Sequence, residues 1–345
     1  MPLTRWPPTC TTASGVDPMT VTNLASIPSP PQGVWHLGPV TLRAYALCIL
    51  VGIVVAVWWT VRRYVARGGD GNTVIDCAIA AVPAGIIGGR VYHVITDHDK
   101  YFGEGKEWTD ALNITNGGLG IWGAVVFGGL AVWGVLRYKK LPLAPFADAV
   151  APPILLAQAI GRLGNWFNQE LYGGESDAPW ALEIYRRVDE NGNISNMDGV
   201  SDGFVLHTVQ PTFLYELVWN LLIVALLVWA DRRFRLGGGR VFMLYVAGYT
   251  FGRFFIELLR TDEATTVFGD IRINSVTSGV VFVCAVALFI ATRKRTREDP
   301  SEVNAGRPVG EPEEDRDAAA ESDAESDAGK SLADGAQDGT ESAPR

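Results

Sequence analysis

Two stretches of this chain, 44–61 and 118–136, carry no charged residue. At about 1.5 Å per helical residue each crosses most of a hydrocarbon layer about 30 Å thick. Soluble core helices seldom run so far without a charge, so these runs predict membrane spans. A third run, 274–292, is similar, and a fourth, 217–230, follows Glu216 directly. Three more are apolar but interrupted: 73–96 by Asp76 and Arg90, 141–165 by Asp148 and Arg162, and 240–259 by Arg253 and Glu257. The expected fold is an all-α polytopic membrane protein with seven transmembrane helices.

The connections between spans test that count. Basic clusters stand at Arg62, Arg63 and Arg67, at 137–140, at 232–235 and at 293–297. They fall on every second connection. The others, 97–116, 167–208 and 261–272, are acidic or mixed. The positive-inside rule then predicts a cytoplasmic C-terminus and, with seven spans, an N-terminus outside. The longest outer connection, 167–208, holds Gly173-Gly174, Asn191-Gly192-Asn193 and a strand-like run at 180–185. It predicts a small extracytoplasmic cap.

Composition matters mainly at the ends. Residues 298–345 hold fifteen Asp and Glu against four Lys and Arg, a net of −11, while the whole chain is −9. The remainder therefore carries about +2, and the acidity belongs to a tail too polar to bury a core. Residues 297–345 are expected to be a disordered acidic cytoplasmic tail, and 1–33 a flexible extracytoplasmic segment rich in Pro, Thr and Ser. That first segment lacks the basic start and apolar stretch of a signal peptide, and Met19 is as good a start as Met1. Cys10, Cys48, Cys77 and Cys284 have no metal-ligand spacing and read as small packing residues. No metal, cofactor or nucleic-acid partner is expected.

Charges inside a bilayer are costly and mark functional candidates. Counted from the cytoplasmic starts of their spans, Arg90, Arg162, Arg253 and Glu257 sit roughly 20–31 Å deep, in the outer half. Tyr45, Trp122, Gln210, Tyr215 and Glu216 join them from spans that start outside. The inner half is nearly pure hydrocarbon, which predicts a chamber open to the outer leaflet rather than a pore. Arg253 and Glu257 are four apart and share a helix face with Arg260, as a structural ion pair or as part of a site. Arg90 and Arg162 have no carboxylate three or four residues away and stand beside glycines. Unpaired arginines in a glycine-rich pocket suit a phosphate, which accepts two parallel hydrogen bonds from the guanidinium fork. Snorkelling to the interface is the other reading of Arg162. The pairs Gly117-Gly118 and Gly128-Gly129 on the third span suggest a chamber border and close helix packing respectively. His36, His93, His98 and His207 fall outside the spans or at their outer edge, and no Ser/His, Ser/Lys, His/Glu-metal or phosphate-loop pattern occurs. The residues alone point to a membrane protein that binds an anionic, phosphate-bearing lipid or solute from the outer side.

The stretch 161–173, Gly-Arg-Leu-Gly-Asn-Trp-Phe-Asn-Gln-Glu-Leu-Tyr-Gly, resembles the signature of the prolipoprotein diacylglyceryl transferase family. Arg43-Ala44-Tyr45, Gly89-Arg90-Val91-Tyr92, 117–123, Gln210-Pro211-Thr212 with Leu214-Tyr215-Glu216, and Gly248-Tyr249 with Arg253 and Glu257 match in family order across 34–293. The resemblance implies a seven-helix transferase domain at 34–296 with its cap at about 167–208. It implies an enzyme of the bacterial cell membrane. This enzyme moves the diacylglyceryl group of phosphatidylglycerol onto the lipobox cysteine next to a prolipoprotein signal peptide and releases glycerol phosphate. Arg162 and Arg253 are then expected at the phosphate and Asn165 at the headgroup. Glu257 would orient Arg253 or accept the thiol proton, and Tyr45 and Tyr249 would line the chamber. Arg90, Glu170, Gly173 and Arg260 complete the expected substrate-binding set. Many members have a histidine, considered as a base, where this chain has Trp122; Trp122 can shape the pocket or donate its indole N–H. Two other readings stand beside the transferase: a transporter for an anionic solute, with Pro152-Pro153 breaking a helix, and a non-catalytic lipid-binding scaffold.

Overall fold

The computed structural model describes residues 26–304 apart from 39, 103–107, 114–116, 263–265 and 268–270. Cys10, the alternative start at Met19 and the tail from 305 onward lie outside the described residues. The elements run β1 (Ile27–Pro28), β2 (Val34–Leu37), β3 (Val40–Arg43), α1 (Ala44–Val65), α2 (Gly71–Thr96), α3 (Ile121–Tyr138) and α4 (Leu143–Asn168). Then follow β4 (Leu182–Val188), β5 (Val200–Val209), α5 (Thr212–Phe234), α6 (Arg240–Leu259), β6 (Thr266–Val267), β7 (Ile271–Arg272) and α7 (Ile273–Ala291).

All seven helices are long and apolar enough to cross a membrane. Large apolar side chains such as Val51, Ile79, Ile87, Leu130, Leu222 and Val283 are exposed on them. A lipid environment solvates such surfaces, while helices satisfy their own backbone groups. This is the architecture of a multi-pass membrane protein. It is mostly rather than wholly helical, because the connection after α4 forms a sheet. Its strand order is β1-β4-β5, with β1 parallel and β5 antiparallel to β4. The strand-like run at 180–185 is the start of β4; β5 escapes a hydropathy reading because most of its residues are exposed.

Two compact units divide the chain. The first comprises Met1–Ile49, Ala159–Trp219 and Gly252–Thr277; the second comprises Leu50–Gln158, Asn220–Phe251 and Ser278–Arg345. In the first unit Leu182, Ile184, Val209 and Phe213 form a buried cluster, and Trp166 stacks on Phe213 at 5.9 Å. Arg187 of β4 is fully buried and ties the unit together through carbonyls. Its Nη2 donates to Pro30 O at 2.8 Å and to Phe167 O at 2.7 Å. Burial lowers the pKa of its guanidinium. Residues 26–33 already contribute β1, through backbone pairing that side-chain composition does not signal.

In the second unit α2 and α3 cross at glycines. A Cβ on Gly123 would lie 2.0 Å from Gly88 O, and one on Gly88 would lie 2.5 Å from Gly123 O. The close approach is here and not at Gly128-Gly129, where the nearest neighbour of an added Cβ is Ala81 O, 3.5 Å away at Gly128. Helix α3 begins later than the apolar run because Gly117 and Gly118 hold φ of 82° and 80°, outside helical space.

The second unit also holds a buried ionic cluster. Asp231 of α5 accepts from Arg63 Nη2 at 2.9 Å, Arg67 Nη2 at 2.8 Å and Arg297 Nη2 at 2.5 Å. Asp148 of α4, fully buried, accepts the backbone N–H groups of Gly239 and Phe242 at 3.0 Å each, capping the start of α6. The chain after α7 packs onto this cluster. Glu298 accepts from Gly238 N at 2.7 Å, and Val303 is buried with Tyr64, Val74, Leu136 and Phe146. Residues 297–304 pack on this unit through the Val303 side chain, the Arg297–Asp231 ion pair and the Glu298 contact with Gly238.

Candidate active site

The first unit gathers charges from three helix ends. Arg162 lies six residues before the end of α4, Arg253 six before the end of α6, and Glu216 four after the start of α5. Glu216 is 5% exposed and ion-pairs with both arginines, Oε2 to Arg162 Nε and Oε1 to Arg253 Nη1. Arg162 is therefore not unpaired, as its local sequence suggested. Its partner comes from a helix 54 residues on, beyond the reach of any i,i+4 argument.

Arg253 Nη2 meets Glu257 Oε2 at 2.7 Å, as their spacing predicted. Glu257 is fully buried and has three further partners: Arg260 Nη1 at 3.5 Å, Arg272 Nε at 3.2 Å and Asn274 Nδ2 at 3.1 Å. Arg260 also forks onto Asp262, Nε to Oδ1 at 2.8 Å and Nη2 to Oδ2 at 2.7 Å. Arg272 donates to Arg260 O at 2.7 Å and Asp262 O at 2.8 Å. Burial raises the pKa of the Asp262 carboxyl, but the hydrogen bonds and charges of Arg260 and Arg272 together outweigh that and hold it below the ordinary carboxylate range. Arg272, Asp262 and Asn274 were absent from the residues expected at the site, and Glu216 was expected in the chamber without a role of its own. The Leu-Tyr-Glu match around Glu216 was the signal available for it.

Asn165 links this chain of charges to the turn after α4. It accepts from Arg162 Nη1 at 3.3 Å and donates to Glu170 Oε1 at 2.9 Å, where Asn168 also donates at 3.2 Å. Gln169 and Leu171, on either side of Glu170, have φ of 53° and 56°, a left-handed region that non-glycine residues seldom enter. The turn is held in place from outside. Gln169 Oε1 accepts from Tyr185 N at 2.6 Å, and Tyr185 lies at a register shift in the sheet. Gly173 sits where an added Cβ would lie 2.7 Å from Gln210 Cβ and 2.8 Å from Leu259 O. Tyr45, second residue of α1, packs on Gly164, where a Cβ would stand 2.6 Å from its ring. The geometry thus brings Tyr45, Arg162, Asn165, Glu170, Gly173, Arg253, Glu257 and Arg260 into one unit.

Arg90, Trp122 and Tyr249 belong to the other unit. Arg90 Nε donates to Ala111 O at 2.8 Å, Nη1 to Gly117 O at 2.8 Å and Gly118 O at 3.0 Å, and Nη2 to Asp110 O at 2.6 Å. Its fork is taken up by carbonyls, so it organises the α2–α3 connection. Trp122 is the second residue of α3 and 45% exposed. Tyr249 lies 6.4 Å from Tyr245, ring to ring. Among the described residues no group of three or more His, Cys, Asp or Glu is placed to hold a metal ion.

In this seven-helix membrane protein two guanidinium groups converge on one buried carboxylate at the helix ends. The family model for prolipoprotein diacylglyceryl transferase matches residues 32–291, and the chain belongs to that family. A Corynebacterium efficiens protein named phosphatidylglycerol–prolipoprotein diacylglyceryl transferase is 66% identical over 297 residues, 86% of this chain and 92% of its own. A protein of the same name from Corynebacterium glutamicum is 64% identical, covering 83% and 89%. One from Rhodococcus jostii is 60% identical, covering 84% and 82%. Family membership decides among the three readings of the sequence in favour of the transferase.

Proposed function

We propose that this chain takes the diacylglyceryl group from phosphatidylglycerol and joins it through a thioether to the lipobox cysteine of a prolipoprotein, releasing glycerol phosphate. The setting is the bacterial cell membrane, at the first step of lipoprotein maturation. The names of the relatives support these substrates. The alternation of basic connections supports an N-terminus and a sheet-bearing cap outside the membrane and a C-terminus in the cytoplasm. The proposed transferase domain runs from 34 to 296, and folded segments at 26–33 and 297–304 flank it.

The observation that carries the site assignment is the convergence of Arg162 and Arg253 on Glu216. The thiolate attacks the glyceryl carbon that bears phosphate. Charge then builds on the departing phosphate oxygens, where two fixed guanidinium groups lower the barrier most. A thiol with an ordinary pKa of about 8.5 needs only modest help to ionise. Asn165, set by Glu170, holds the headgroup, and Glu257 keeps Arg253 aimed. Tyr45 lines the same site, with Arg260 and Gly173 supporting it from the loop and the turn. Tyr249 and Trp122 line the lipid path, and Arg90 holds the α2–α3 connection.

Replacing Arg162 with lysine tests the clamp. Lysine keeps the charge and loses the planar fork, so transfer falls about 10²-fold, as for loss of one transition-state donor. Full activity in Arg162→Lys contradicts the assignment.

A further inference from the structure

We infer that Glu216 is the proton acceptor of the transfer, released for that task when the lipid phosphate takes its place between Arg162 and Arg253. The inference rests on the proposed transfer reaction. Glu216 occupies the position that a phosphate bridging the two arginines needs. The cavity lined by Arg162, Asn165, Thr212, Phe213, Glu216 and Arg260 measures ≈ 10 Å³. That is close to the space of a single water, so a phosphate bridging the two arginines takes the place of the carboxylate. A buried carboxylate separated from its cations is best neutralised by a proton.

Among the described carboxylates near these arginines, Glu257 and Asp262 make more side-chain contacts than Glu216. Glu257 has four partners and no exposure. Glu170 is held by two asparagines, and Asp262 by the forks of Arg260 and Arg272. Glu216 Oε2, by contrast, accepts no aligned hydrogen bond beyond its ion pair with Arg162. His36 and His207, the described histidines of this unit, contact Thr41 and Glu175. Trp122 has no basic atom.

The step balances. The thiol proton passes to Glu216, and the sulfur electron pair forms the S–C bond to the glyceryl carbon. The C–O bond to phosphate breaks with its electron pair on the phosphate oxygen. Glycerol phosphate is left on Arg162 and Arg253. Glu216 then gives its proton to solvent and returns to the arginines, displacing the product.

The test is Glu216→Gln in the full chain, assayed with phosphatidylglycerol and a lipobox-cysteine peptide beside wild type. The expected kcat falls by about 10²–10⁴ near neutral pH, the range for loss of a general base. The KM for phosphatidylglycerol stays level or falls, because the competing charge is gone. The deficit shrinks as pH rises past about 8.5, where the thiol ionises unaided. Wild-type kcat, or a raised KM with a deficit that ignores pH, overturns the inference. Glu216→Asp covers the case in which the amide does not fold: its carboxylate stops about one methylene short, and kcat drops about 10²-fold with KM unchanged. Retained kcat with raised KM in that variant overturns it too. No transfer by wild type would instead sink the transfer reading itself.

Discussion

Each compact unit holds a cluster of buried arginines and carboxylates, and the two are wired differently. In the second unit Asp148 is tied to backbone N–H groups, and Asp231 is held by three arginines that also donate to backbone carbonyls. Asp148 caps the start of α6, and Arg63 donates to Ala149 O at 3.0 Å as well as to Asp231. In the first unit the link between Arg162 and Arg253 is a single carboxylate, Glu216, held by side chains alone. A backbone-tied ion pair cannot be exchanged without undoing a helix end. A side-chain pair exchanges one anion for another and leaves the fold in place. Burial and pairing therefore do not distinguish a reactive cluster from a structural one; the exchangeability of the partner does.

Exchanging arginines across the two clusters tests this most strongly. Arg253→Ala should lower transfer per folded molecule by about 10²–10³, the scale of a lost oxyanion donor. Arg63→Ala should leave transfer per folded molecule near wild type. Equal losses in the two variants would erase the distinction.

Asp231→Ala should act the opposite way, destabilising by about 3–5 kcal/mol because it strands buried arginine charge. Unfolding midpoints in detergent would read this out, with kcat of the surviving fraction unchanged. A silent Asp231→Ala would show that the second cluster is not structural.

Part of this contrast was legible in the sequence. Charge-free runs and alternating basic flanks outlined all seven helices, and Arg253 with Glu257 met at helical spacing. Arg162, Asn165 and Glu170 came from one local signature. The bond between Arg162 and Glu216 was not legible, because it joins two helices whose facing is set by packing. Arg63, Arg67 and Arg297 were counted as orientation signals, yet they are paired with Asp231. Charge counting sees the residue type and not its partner. The ordered stretch at 297–304 was hidden for the same reason: Val303 is one apolar residue in an acidic run, and what buries it is distant in sequence.

That stretch gives a smaller prediction. A chain ending after Asn304 should unfold at the wild-type midpoint. One ending after Arg295 loses Arg297 from Asp231 and exposes the pocket of Val303, a side chain worth about 1.5–3 kcal/mol when fully buried. A lower midpoint for the shorter chain alone is the expected result, and equal midpoints would return 297–304 to the tail.

The smallest effect lies at Asp262. Its carboxyl titrates below the ordinary range in the folded chain, so it adds stability above the unfolded value of about 3.9. That contribution is lost as pH falls through its lower folded value. Hydrogen exchange in the α6–α7 connection should therefore quicken in that acid window, and Asp262→Asn should remove the pH dependence. An unchanged profile in that variant would take Asp262 out of the clamp on Arg260 and Arg272.

The central claim is that Arg162 and Arg253 handle the phosphate of the donor lipid, and one assay reaches it directly. Purified wild type and Arg162→Ala are given phosphatidylglycerol with a labelled diacylglyceryl group and a lipobox-cysteine peptide. Label on the peptide with wild type, and little or none with a folded Arg162→Ala, is the predicted result. Equal labelling by the two proteins would contradict the site, and none by a folded, lipid-binding wild type would contradict the transfer itself.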